Sequence, residues 1–106
     1  MARGHYKVTL ARRADWMLIA HTGFLADVSP AAARGLLTDF KAASKRIADD
    51  PFQFPYADEM DVPDMPAETY RKCLFYGRYK ALFLVEGDEV YIDAIIDCRQ
   101  ENKSLY

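Results

Sequence analysis

Between Tyr70 and Arg99 the sequence reads YRKCLFYGRYKALFLVEGDEVYIDAIIDCR, and this run constrains the fold more than any other. Turn signals at Tyr76-Gly77-Arg78 and at Glu86-Gly87-Asp88-Glu89 divide it into three apolar-rich segments. Aromatic and β-branched residues at alternate positions between such turns make consecutive strands, at roughly 70–76, 78–86 and 89–98. Gly87-Asp88 suits a tight hairpin. In the last segment Val90, Ile92, Ala94, Ile96 and Cys98 fall on one face, and Tyr91, Asp93, Ile95, Asp97 and Arg99 on the other. The alternation predicts that the first set meets the core and that the second forms a mixed polar face covered by no helix.

A sheet with one apolar face needs a cover, and the first half of the chain supplies it. His5 to Ala11 alternates Tyr6, Val8 and Leu10 against Lys7, Thr9 and Ala11, a further short strand. A helix opens at Arg12-Arg13-Ala14-Asp15, with Ala14, Met17, Leu18, His21, Leu25 and Val28 at helical spacing. Trp16, Ile19 and Phe24 lie elsewhere on its circumference, so it is apolar almost all round and is expected to be covered on more than one side. Gly23 within it costs about 1 kcal/mol relative to Ala, which weakens its second half.

Ser29-Pro30 starts a second helix, a hydroxyl cap followed by proline at the first helical position. Ala33, Leu36, Leu37, Phe40, Ser44 and Ile47 form its apolar stripe, with Arg34, Lys41, Lys45 and Arg46 outside. It ends at Asp49-Asp50-Pro51, because proline restricts the residue before it. The link 51–69 carries four prolines and no regular period. A connection that long in a compact domain is usually functional or mobile, but Phe52, Phe54 and Tyr56 point to a first half that is packed down, and an ordered Ω-like connection is the favoured reading. The order is β-α-α-β-β-β over one domain, residues 1–106. It describes an α+β fold with a helical hairpin packed on one face of a mainly antiparallel four-stranded sheet.

Of the residues, 51% are apolar, enough for a real core. The net charge of -2 argues against a bulk nucleic-acid coat protein, but it conceals an uneven distribution. Residues 1–48 hold eight Lys/Arg against three Asp/Glu, residues 49–69 hold seven acids and no base, and residues 70–106 hold six of each. Local patches therefore remain able to bind an anion. Cys73 and Cys98 fall in different strands with a third between them, roughly 10 Å apart, too far for a disulfide. They read as buried free thiols in a reducing cytoplasm. No apolar run approaches a membrane span, and no signal segment is evident.

No metal or cofactor is expected: His5 and His21 lie in different elements, no Cys or His has ligand spacing, and the five glycines form no phosphate loop. His21 reads as a core or boundary histidine. What remains is basic and phenolic. Lys80, Arg99 and Tyr106 stand at the start of one strand, the end of another and the chain terminus. Such groups can stabilise the charge on a phosphodiester attacked by its own 2′-hydroxyl and can protonate the leaving oxygen, with no protein nucleophile. Read alone, three such residues on one sheet are more often the mark of a solvated face.

The pattern Tyr70-Arg71, then Gly77-Arg78-Tyr79-Lys80-Ala81-Leu82-Phe83, a hairpin, and an apolar strand ending in Cys98-Arg99 resembles the RelE/ParE superfamily, the toxins of type II toxin–antitoxin modules. The upstream strand, the helical hairpin and Asp50-Pro51 fit as well, so the resemblance spans nearly the whole chain. It implies a cognate antitoxin partner and a toxin that inhibits translation by cutting mRNA on the ribosome, with gyrase inhibition or a non-catalytic protein-binding role as the alternative. RelE-like members are metal-independent endonucleases that cut mRNA on the ribosome; ParE-like members share the fold and poison DNA gyrase. Carried over, the resemblance gives Lys80, Arg99 and Tyr106 as the catalytic set of a RelE-like nuclease. Arg71, Lys72 and Arg78 become RNA phosphate contacts. Lysine stands at 80 where the family has arginine, which removes a bidentate phosphate grip there.

Overall fold

Each turn signal in the sequence becomes an element boundary. The computed structural model describes residues 6–57, 66 and 68–98. The elements are β1 (Lys7–Leu10), α1 (Arg12–Val28), α2 (Pro30–Asp49), a single 3-10 turn (Pro51–Gln53), β2 (Arg71–Phe75), β3 (Tyr79–Glu86) and β4 (Glu89–Asp97). Ser29 serves both helices at once. Its N–H donates to the Leu25 carbonyl (2.7 Å), closing α1, while its Oγ accepts from the Ala32 N–H (3.2 Å), opening α2. Those bonds satisfy backbone groups that a helix end otherwise leaves without a partner. Gly23 does not interrupt α1, which runs through it.

The strands lie in the order β1-β4-β3-β2. β2, β3 and β4 form the antiparallel meander, and β1 joins the far edge of β4 in parallel, so the sheet is mixed. Both helices cover one face. Ala14, Leu18 and Leu25 of α1 and Ala33, Leu36, Ala43 and Ile47 of α2 pack on Cys73, Phe75, Tyr79, Ala81, Phe83, Val90, Ile92 and Ile95.

That last set corrects the expected facing of β4. Leu82 pairs with Ala94 but Phe83 pairs with Ile92, so Asp93 is an extra residue, a β-bulge. A bulge shifts the alternation by one. Val90 and Ile92 face the helices as the pattern predicts; beyond Asp93, Ile95 joins the core, and Asp97 comes opposite the buried Tyr79. Ala94 and Ile96 turn to the other side. That other side is not bare, because Leu82, Ala94 and Lys80 on it are all nearly fully buried.

At the β2–β3 turn the backbone is held in an unusual state. Tyr76 (φ 55°) and Gly77 (φ 66°) are both left-handed, and for tyrosine that costs energy. The Tyr76 N–H donates to Asp39 Oδ2 of α2 at 2.6 Å, which holds the turn against the helix. The Tyr76 ring lies so close over α2 that a Cβ on Gly35 would sit 2.6 Å from its hydroxyl. Glycine at 35 is what lets the turn seat.

The link is expected to be packed down at its start, and Phe54 alone of its three aromatics packs on the core, while Phe52 and Tyr56 stay exposed. Phe54 meets Phe83 edge to face (5.8 Å between centroids), Phe52 meets Tyr6 (5.9 Å), and Tyr56 bridges to Arg71.

Candidate functional site

The polar chemistry of the described residues gathers at the sheet end where β3 begins and β4 finishes. Arg78, the last residue of the turn, reaches Asp97 with two parallel hydrogen bonds, Nε to Oδ1 (3.2 Å) and Nη2 to Oδ2 (2.8 Å). This fork geometry is the strong form of a charged pair. Asp97 is 4% exposed, carried inward by the bulge, and the Arg78 guanidinium also lies over the Tyr79 ring at 5.1 Å. The hydrogen bonds to Asp97, ahead of any other influence, raise the Arg78 pKa above its ordinary value. The Arg78 carbonyl accepts from the Cys98 N–H (2.8 Å), which ties the end of β4 to the turn.

α1 contributes from beneath. His21 donates from Nε2 to the Ile95 carbonyl at 2.9 Å, and its ring lies 5.1 Å from that of Tyr79. It is a boundary histidine, as its place on the stripe predicts. β1 stops at Leu10, opposite Ile92, so no strand pairs with β4 on that side at Ile95. Asp97 and His21 thus form a buried polar corner with Arg78 and Tyr79. The sequence offered one signal for it, an arginine in the turn and an aspartate near the end of the strand two along. Strict alternation hid it by assigning Asp97 to the outer face.

The expected site residues distribute unevenly. Lys80, opposite Leu74 and Ile96 on the face away from the helices, is 7% exposed. Lys72 is half-buried on that same face, and its N–H donates to the Pro55 carbonyl at 2.9 Å. Arg71 lies elsewhere: it donates to the Phe54 carbonyl (2.7 Å) and the Tyr56 hydroxyl (3.0 Å) and stacks 4.1 Å from the Tyr56 ring centroid. It staples the link to the sheet. Arg78 is held by Asp97, as above. Arg99 and Tyr106 fall outside the described residues.

A second polar pair escaped the sequence reading. The Tyr70 hydroxyl donates to Asp93 Oδ2 at 2.6 Å, across the bulge. This hydrogen bond is the main reason that the Tyr70 pKa is raised; burial and the Asp93 charge add to it, and the Arg13 charge opposes it. Among the described residues, no group of three or more His, Cys, Asp or Glu side chains is placed to hold a metal ion, and no helix is long and apolar enough to cross a membrane. Both cysteines are free thiols, Cys73 in the core and Cys98 half-buried.

No family model and no curated protein matches the sequence. Solved structures do. A chain described as the "Chromosomal ParDE TA system from P. aeruginosa" superposes on 88% of this chain and 96% of its own length, with a TM-score of 0.66 and 20% sequence identity. At that identity the likeness establishes the fold, and the fold is the RelE/ParE-like arrangement of a helical hairpin on a four-stranded sheet.

Proposed function

We propose that this chain is the toxin of a type II toxin–antitoxin module and that a cognate antitoxin holds it in check. The observation that carries the reading is the fold, shared over nearly the full length with a chain of a ParDE toxin–antitoxin system. The order of Tyr70-Arg71, Gly77-Arg78-Tyr79-Lys80 and Cys98-Arg99 along the closing meander agrees with it. Expression of the chain alone should arrest growth, and co-expression of a small neighbouring open reading frame should relieve the arrest. Normal growth on expression of a soluble, folded chain would end the toxin reading.

Two modes of action follow from the resemblance. In the first, the toxin cleaves mRNA on the ribosome, with Arg99 and Lys80 stabilising the scissile phosphate, Tyr106 in proton transfer, and Arg71, Lys72 and Arg78 on neighbouring phosphates. In the second, the toxin acts without nuclease chemistry on DNA gyrase. One feature favours the second: Arg71 and Arg78 have their guanidinium donors engaged by the fold, and Lys80 is nearly fully buried. Primer extension on translated mRNA and a gyrase supercoiling assay separate the two. New cleavage ends that is abolished in Arg99→Ala and Tyr106→Phe select the nuclease. Lost supercoiling with intact mRNA selects gyrase.

A further inference from the structure

The outer side of α1 is apolar and exposed. Trp16 is 70% exposed, Ile19 62%, Phe24 57% and Val28 73%. Along its most outward line run Arg12, Trp16, Ile19, Ala20, Gly23 and Asp27, at steps of three and four that keep them on one face. A contiguous apolar face of this kind on a small domain marks an interface.

The order of those six residues says what covers it. Read outward from the Ile19–Ala20 peptide, each bulky or charged residue has its complement at the mirrored position. Ile19 answers Ala20, Trp16 answers Gly23, and Arg12 answers Asp27. A second α1 laid antiparallel across the first, on a two-fold axis at that peptide, would set a large side chain over a small one twice on each side of the axis and a cation beside an anion at each end. A two-fold interface must be complementary to itself in this way.

Two further observations, independent of that symmetry, point to the same occupant. Gly23 has nothing within 4 Å of where a Cβ would stand, so the chain's own packing does not call for glycine in this helix interior. The tryptophan of a second copy does, because it needs the space. Two charges on that outward line are also misplaced for α1 by itself: Arg12 at the first helical position and Asp27 in the last turn both oppose the helix dipole, whereas Asp15, off that line, suits it. Neither the Arg12 nor the Asp27 side chain makes a hydrogen bond or ion pair with another described residue. Against an antiparallel copy, each charge comes to the favourable end of the other helix.

We infer that the outer face of α1 is a self-association surface, on which two copies of this chain pair their first helices antiparallel about Ile19–Ala20. The pairing uses no residue of the sheet and does not rest on the toxin reading, so the failure of one leaves the other standing.

The test uses the full purified chain. Sedimentation velocity should show a dimer that dissociates on dilution, with a dissociation constant of about 10 μM or tighter. Trp16 is the sole tryptophan, so its emission should shift to the red over the same dilution. Trp16→Ala should weaken association about 30-fold or more, and Gly23→Leu, whose Cβ has open space around it in the monomer, should abolish it while leaving the circular dichroism unchanged. Arg12→Asp should weaken it about tenfold by setting two acids together at both ends, and Arg12→Asp with Asp27→Arg should restore it. A wild-type chain that is monomeric at about 100 μM, a dimer that survives Gly23→Leu, or a charge exchange that restores nothing would each overturn the inference. A monomer whose Trp16 becomes covered only when the neighbouring-gene protein is added would overturn it too, and would give the face to that protein.

Discussion

α1 and α2 pack side by side on the same sheet, yet they are built on different terms. α2 is complete within its own chain. Ser29 caps it, Pro30 opens it, Arg46 sits in its last turn where the dipole favours a cation, and its buried residues, Ala33, Leu36, Ala43 and Ile47, lie on a single stripe. α1 has an inner stripe of Ala14, Leu18 and Leu25, but Ala11 gives it no side-chain cap, its last turn has no base, and large apolar residues stand on its outer side. The sequence expectation that α1 would be covered on more than one side is therefore unmet within the described chain. A helix that its own fold leaves half-finished is one whose sequence answers to something outside that fold.

The comparison breaks most visibly under truncation. Leu36→Ala on α2 removes a fully buried side chain and should cost about 2–5 kcal/mol by urea denaturation. Trp16→Ala on the outside of α1 removes a larger side chain and should change the stability of the dilute monomer by less than about 0.5 kcal/mol. Equal losses at the two positions would mean that the outer face of α1 is covered within the chain. Next comes Gly35→Ala. Its methyl would press on the Tyr76 ring, whose backbone the Asp39 hydrogen bond ties to α2, so a loss of about 1–3 kcal/mol is expected. Ser29→Ala should cost about 1 kcal/mol.

The α2 side should also respond to alkali. Burial raises the pKa of the Cys73 thiol, with the Asp39 charge adding and the Arg46 charge opposing. The folded state therefore prefers the neutral thiol. That preference is fully present below the pKa of the unfolded thiol, and stability should fall as pH rises from there through the folded pKa. Thermal melts in this range should show the fall in the native sequence and a flatter profile in Cys73→Ala. A thiol reagent should modify the half-buried Cys98 first and reach Cys73 only on unfolding.

Much of this fold was legible because its punctuation is local. Ser29-Pro30, Asp50-Pro51, Gly77 and Gly87 mark boundaries that hold to within a residue or two, since capping and turn geometry depend on a few neighbours in sequence. The parallel pairing of β1 with β4 was not legible, because no local pattern states which edge a first strand joins. The bulge at Asp93 was hidden for a related reason. It is a property of the β3–β4 pairing, and a single strand read at period two has no way to show it. From that one shift came the misplacement of Ile95 and Asp97, and with Asp97 the corner it makes with Arg78. Arg71 was equally opaque: a cation that stacks on Tyr56 and caps a loop carbonyl reads in sequence the same as one that waits for phosphate.

A modest gain in stability carries the sharpest distinction between the helices. Gly23→Ala is the same chemical change as Gly35→Ala, in an equally regular helix, and it should have the opposite sign. With nothing for the new methyl to meet, the gain from a stiffer unfolded chain and better helix propensity should raise the stability of the monomer by about 0.5–1 kcal/mol. Thermal melts at concentrations well below association read this directly. At high concentration the methyl would lie beneath the tryptophan of a second copy, so the same variant should associate more weakly than the native sequence. A glycine that stabilises the monomer when it is replaced, and weakens self-association by the same replacement, is there for the second helix and not for the first.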